Sequence, residues 1–138
     1  MSTAKVTYLG SLRTKNEHLR SGDTYVTDAP VDNRGKGEAF SPTDTVATAL
    51  ANCMLTVMGA KAGDLGIDLS GATAKVTKLM AADPRRISKI EVDIQLPYLE
   101  NKKHRTILEN TARTCPVLYS LHPDIEKDMR FSWSQKLA

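Results

Sequence analysis

SPTDTVATALANCMLTVMGAKAGDLG, residues 41–66, carries a helix start at one end and a helix stop at the other. Ser41 is a suitable N-cap, because its hydroxyl can accept from the free N–H groups of a first turn. Pro42 suits the first helical position, where no N–H is needed. Asp44 stands three residues after Ser41, so the two can form a capping box with aspartate in place of glutamate, and its charge complements the positive end of the helix dipole. Gly63 and Gly66 offer ends, and Gly66 fits a left-handed cap. Between these signals the side chains are Val46, Ala47, Ala49, Leu50, Ala51, Cys53, Met54, Leu55, Val57, Met58 and Ala60, interrupted before Lys61 only by Thr45, Thr48, Asn52 and Thr56. A helix apolar over most of its circumference is a core helix. The threonines and Asn52 leave no unbroken run of about 20 apolar residues, so the stretch is not expected to span a membrane.

The rest of the chain supplies what such a helix packs against. Residues 5–14 (KVTYLGSLRT) mix β-branched and aromatic with polar side chains and read as a strand. Residues 16–20 read as a polar connection, Ser21-Gly22-Asp23 as a turn, and 24–27 (TYVT) as a second strand, giving an N-terminal hairpin. The 28–39 stretch, with Pro30, Asp32, Asn33, Gly35 and Gly37, is a loop. After the helix, 69–80 reads as a strand and 83–86 as a turn at Pro84. In 87–96, Ile90, Val92, Ile94 and Leu96 alternate with Lys89, Glu91, Asp93 and Gln95, the period of a strand with one wet face. Pro97 ends it. Asn101 can cap a second helix carrying Ile107, Leu108 and Ala112 on one stripe. Pro116 pushes Cys115 out of the helical region, placing it at or just past a helix end. A short helical turn over 116–122 and a final strand over 129–134 complete an α+β protein with antiparallel sheet, expected to be a single domain over 1–138.

Composition excludes several classes of function. Charged residues are 25% of the 138, with a net charge of +3, and the bases are interleaved with acids, which argues against a nucleic-acid footprint. Lys102, Lys103, His104 and Arg105 are the densest basic run and read as a solvated helix start. The first residues lack the apolar core of a signal peptide, so a cytoplasmic location is expected. Two cysteines, with no CxxC, HExxH or tight Cys/His cluster, support neither a metal site nor a permanent staple. Each could be a small buried hydrophobe. A reactive thiol would need a positive neighbour, and Arg20, His18 and Arg113 are the basic candidates that sequence alone cannot place.

The string SPTDTVATALANCM together with CPVLYSLHPDI from Cys115 onward resembles the OsmC/Ohr family, the osmotically inducible protein C and organic hydroperoxide resistance proteins, and most closely its OsmC-like branch. Element order and chain length agree along nearly the whole chain. The resemblance implies an OsmC-like fold, antiparallel sheets around a central cysteine-bearing helix, in an intertwined homodimer with the cysteines at the interface. It implies that Cys53 is the peroxidatic thiolate and Cys115 the resolving thiol of a peroxidase. The implied substrate is an organic hydroperoxide or hydrogen peroxide, with reset by an external dithiol and no metal or other cofactor. It also implies an arginine from the N-terminal hairpin, matched by Arg20, held by an acid at the start of the cysteine helix. This chain has Thr43 at the family's glutamate position, and the acid is displaced to Asp44, which turns it by about 100° around the helix. A non-catalytic binder of a small apolar ligand and a redox sensor of the same fold stay open beside the enzyme.

Overall fold

The helix expected over 41–66 runs from Pro42 to Asp64 in the computed structural model, which describes residues 1–137. This helix, α1 (Pro42–Asp64), opens on a reciprocal capping box. The Ser41 N–H donates to Asp44 Oδ2 at 2.9 Å, and the Asp44 N–H donates to Ser41 Oγ at 3.1 Å. It closes on a Schellman motif around Gly66, whose φ is +69°. There the Ile67 N–H reaches back to the Ala62 carbonyl at 2.8 Å and the Gly66 N–H to the Gly63 carbonyl at 3.1 Å. Ala47, Leu50, Ala51, Met54, Met58 and Ala62 are its buried residues. By length and mean hydropathy (1.2) α1 is long and apolar enough to cross a membrane, and a third of that stretch is buried within the protein.

The chain forms two compact units, residues 1–46 and residues from 47 onward. The first is a meander of β1 (Ala4–Gly10), β2 (Arg13–His18) and β3 (Thr24–Asp28), antiparallel throughout, followed by a single turn of 3₁₀ helix at Val31–Asn33. This corrects the two-stranded hairpin expected from the sequence. The chain turns at Ser11-Leu12, with φ of 53° and 63°, and residues 16–18 belong to a strand rather than to a connection. The turn has no Asn-Gly or Asp-Gly to announce it, and β2 (RTKNEH) has no apolar alternation, so neither of the usual signals is present.

The second unit holds β4 (Thr73–Ala81), β5 (Arg86–Leu96) and β6 (Glu126–Trp133) in the order β4-β5-β6. The alternation of β5 is realised in full: Ile90, Val92 and Ile94 are completely buried and Leu96 nearly so. They share one core with α1 and with Leu108 and Ala112 of α2 (Lys102–Ala112). Strand β5 pairs antiparallel with β4 but parallel with β6, so the sheet is mixed where a wholly antiparallel one was expected. The connection over 97–125, containing α2 and α3 (Pro116–Ser120), is long enough to return the chain to the same end of the sheet, as a parallel neighbour requires.

Side chains fasten α2 to this sheet. Asn101 caps it, its side chain accepting from the His104 N–H at 3.1 Å. Within the basic run, Lys102 and Lys103 are exposed, but Arg105 lies over Tyr98 and Trp133, 5.9 and 5.8 Å from the ring centres, and donates through Nε to the Leu99 carbonyl. Trp133 Nε1 donates to Glu109 at 3.0 Å. On the outer face of the sheet, Lys89 bridges Glu91 at 3.3 Å and Arg130 bridges Asp128 at 2.7 Å. The hydrogen bond from Arg130 holds the Asp128 carboxyl below the usual carboxylate range.

The end of α1 gives two substitutions of opposite sign. At Gly66 a Cβ would meet no neighbour within 4 Å, so Gly66→Ala carries only the left-handed backbone penalty and should destabilise by about 1 kcal/mol. Gly63 lies inside the helix, also with nothing within 4 Å, and Gly63→Ala should stabilise by roughly 0.5–1 kcal/mol. Denaturant unfolding of the two variants measures both.

Candidate active site

Cys53 stands in the middle of α1, partly exposed, its side chain against the buried core. Cys115 is the N-cap residue of α3, extended at φ −70° and ψ 143°, as Pro116 after it requires, and its accessible surface is zero. Both thiols are free. The fold brings them near enough for Cys53 to act on Cys115, although one belongs to the core helix and the other to the crossover between β5 and β6. Burial is the largest influence on the Cys115 thiol and pushes it above its ordinary 9.0; the Leu118 backbone, next in size, pulls the other way, and the neighbouring Cys53 adds a smaller rise. Cys115 therefore keeps its proton at neutral pH. Two sulfurs so placed can bond if they close to about 2.05 Å.

The other residues singled out from sequence have separate settings. Asp44 is part of the cap that starts α1. Arg20, in the first unit, stands in the turn after β2 with its side chain exposed. His18 shares a 2.6 Å hydrogen bond through Nδ1 with Ser21 Oγ. Arg113 lies over the Phe131 ring, 5.0 Å from its centre.

One cluster in the first unit escaped the sequence reading. Asp28 is only 2% exposed and accepts from the Glu38 N–H through Oδ2 at 3.0 Å. Arg13, opposite it in register, has a buried Nε with no hydrogen-bond partner and an Nη1 that lies 3.9 Å from Glu38. Nothing in the sequence marked it, because the register that pairs Arg13 with Asp28 depends on the unannounced turn at Ser11-Leu12.

An open cavity of about 410 Å³ lies elsewhere, bordered by Leu55, Gly59, Ile67 and Leu69 among others. Leu55 and Gly59 are turned roughly 200–240° around α1 from Cys53, so this cavity is not the cysteine site. Among the described residues no group of three or more His, Cys, Asp or Glu is placed to hold a metal ion.

Comparison with known proteins places this geometry in context. The family model for OsmC-like proteins matches residues 35–129. A structure from Psychrobacter arcticus 273-4, provisionally named an osmotic stress induced and detoxification response protein, is 55% identical, with 96% of each chain covered and a TM-score of 0.92. An OsmC-like protein from Mycoplasma pneumoniae, at 12% identity, has the same fold, with 96% of each chain covered and a TM-score of 0.79. So does an organic hydroperoxide resistance protein from Legionella pneumophila, at 18% identity, with 96% and 98% covered and a TM-score of 0.70. No curated protein matches the sequence.

The raised pKa of Cys115 has a consequence for stability. The folded state resists losing this proton, while the unfolded chain loses it near the ordinary value of 9.0. The stabilisation is therefore complete below about pH 9 and is lost as pH rises through and above that value. Thermal unfolding of the reduced protein between pH 7 and pH 10.5 should show a steeper fall in Tm for the wild type than for Cys115→Ala. Parallel curves would mean that burial does not bias this thiol.

Proposed function

Because the chain belongs to the OsmC-like family, we propose that it is a thiol-dependent peroxidase acting on organic hydroperoxides or hydrogen peroxide. The observation that carries this reading is a partly exposed Cys53 with a buried, protonated Cys115 as its neighbour. Cys53, the sulfur that a peroxide can approach, attacks the terminal peroxide oxygen as its thiolate. The O–O bond breaks, the leaving alkoxide takes a proton to become the alcohol, and Cys53 becomes a sulfenic acid. The Cys115 thiol then attacks the sulfenic sulfur. An S–S bond forms, the S–O bond breaks, and the hydroxyl leaves as water with the Cys115 proton. An external dithiol returns both cysteines to thiols and leaves as its own disulfide. Sulfur carries the whole redox change, so the reading calls for no metal or other cofactor, and it places the protein in the cytoplasm, where reducing dithiols are present. Structures named as organic hydroperoxide resistance proteins share the fold, which supports the substrate class.

In this reading Arg20 supplies the positive charge to the Cys53 thiolate, an assignment resting on the resemblance alone, and Asp44 fixes the start of the cysteine helix through its cap. Thr43 at the family's glutamate position is what favours the second reading, a non-catalytic ligand binder or redox sensor of the same fold.

The proposal includes a homodimer. In the N-terminal meander, Val6, Tyr8 and Tyr25 are 62%, 65% and 55% exposed and share one face of the sheet, and Tyr119 of α3 is 73% exposed. A second copy covering such surfaces would give an interface in the obligate range, above about 2,000 Å². Sedimentation at micromolar concentration should show a dimer, and a folded monomer would remove this part of the proposal.

Peroxide consumption in the presence of dithiothreitol separates the readings. The wild type should turn over, Cys53→Ser should be inactive, and Arg20→Ala should be slowed. One equivalent of peroxide should remove both thiols in the wild type. Cys115→Ser should accumulate sulfenic and then sulfinic acid on Cys53. No thiol loss in the wild type would leave the binding reading in place.

A further inference from the structure

Arg113 was one of three candidate cations for a thiolate, and the structure gives it an aromatic ring instead. It is the C-cap residue of α2, and its guanidinium lies 5.0 Å from the ring centre of Phe131 on β6. Phe131 is itself anchored, packing against the buried core and standing opposite Ile94 in the parallel register. Two residues beyond Arg113 comes Cys115, and the backbone between them has little freedom of its own. Thr114 donates twice to the Thr111 carbonyl, through N–H at 3.0 Å and Oγ1 at 2.7 Å. Pro116 fixes the next φ. The 111–116 turn therefore moves as one piece, and the Arg113–Phe131 stack is a side-chain contact that holds this piece against the sheet.

We propose that Arg113 is a positioning residue: its stack on Phe131 latches the turn to β6 and so keeps the Cys115 thiol beside Cys53. The positive charge matters because it faces the negative ring face; a neutral side chain of similar length would lose that attraction while keeping much of the packing. With the latch open, the turn carries Cys115 away from Cys53 and toward water. The consequence for redox chemistry rests on the peroxidase reading. A sulfenic acid on Cys53 has two fates: attack by the Cys115 thiol, releasing water and forming the disulfide, or attack on a second hydroperoxide, which leaves as the alcohol while Cys53 becomes a sulfinic acid. The latch favours the first fate without touching the initial oxidation of Cys53.

The latch is tested on the reduced, full-length protein by timed alkylation with iodoacetamide, following each cysteine separately by mass spectrometry. Arg113→Gln and Phe131→Leu should each raise the ratio of Cys115 to Cys53 alkylation roughly two- to fivefold, the size of an exposed cation–π contact. Arg113→Lys, which keeps the cation, should stay close to wild type. An unchanged ratio in Arg113→Gln overturns the proposal, as does an equal rise in the lysine variant. In parallel, a fixed excess of cumene hydroperoxide should give more Cys53 sulfinic acid in Arg113→Gln than in wild type or Arg113→Lys; equal amounts would overturn the redox role. If the wild type loses no thiol to peroxide, the peroxidase reading and that redox role fall together, while the alkylation ratio still decides the latch.

Discussion

Leu50, Met54 and Met58 lie at successive turns of α1 with no accessible surface, and the second unit is arranged to keep water from them. The inner face of β5 and the apolar side of α2 join them in one core. Burying each such side chain contributes about 1.5–3 kcal/mol, which exceeds any single polar contact in the molecule. That constraint also fixes the chemistry. A helix that must stay buried along one side presents Cys53 at a fixed rotation, partly open, and any residue meeting its sulfur from the protein side has to come out of the core.

Cys115 meets that requirement through a backbone device. Pro116 cannot continue a helix from α2, so the chain turns, and the residue before the proline takes an extended conformation as the N-cap of α3. Its side chain is delivered inward and loses all contact with solvent. Low polarity then keeps the thiol protonated in the neighbourhood of Cys53. One cysteine is open and the other closed because one sits on the flank of a helix and the other in a bend.

What could be read from the sequence was what depends on neighbours along the chain. The cap at Ser41, the stop at Gly66, the alternation of β5, the Asn101 cap and the bend at Pro116 are all encoded within a few residues. What could not be read was decided across the chain. The turn at Ser11-Leu12 has left-handed backbone at two residues that rarely adopt it, and so the start of β2 passed for the end of the first strand and residues 16–18 for a connection. The parallel pairing of β5 with β6 leaves no mark on either strand, since both would look the same with the direction reversed. The contact between the two sulfurs follows from that pairing and from the crossover it requires. Arg113 was noticed for its charge, but its ring partner belongs to a strand contributed by the end of the chain.

The order of strands has a consequence for how the protein is made. The central strand, β5, gains one neighbour at once, since β4 precedes it and joins it through a tight turn. Its other edge waits for β6, which leaves the ribosome only after the whole crossover. Until then the nascent chain carries the fully apolar row Ile90, Val92 and Ile94 next to an open strand edge, a combination prone to pairing with other chains. Lys89, Glu91 and Asp93 alternate with that row. In the finished fold they are half-buried charges on the sheet's outer face; during synthesis they are gatekeepers that make the unpaired edge a poor template for aggregation.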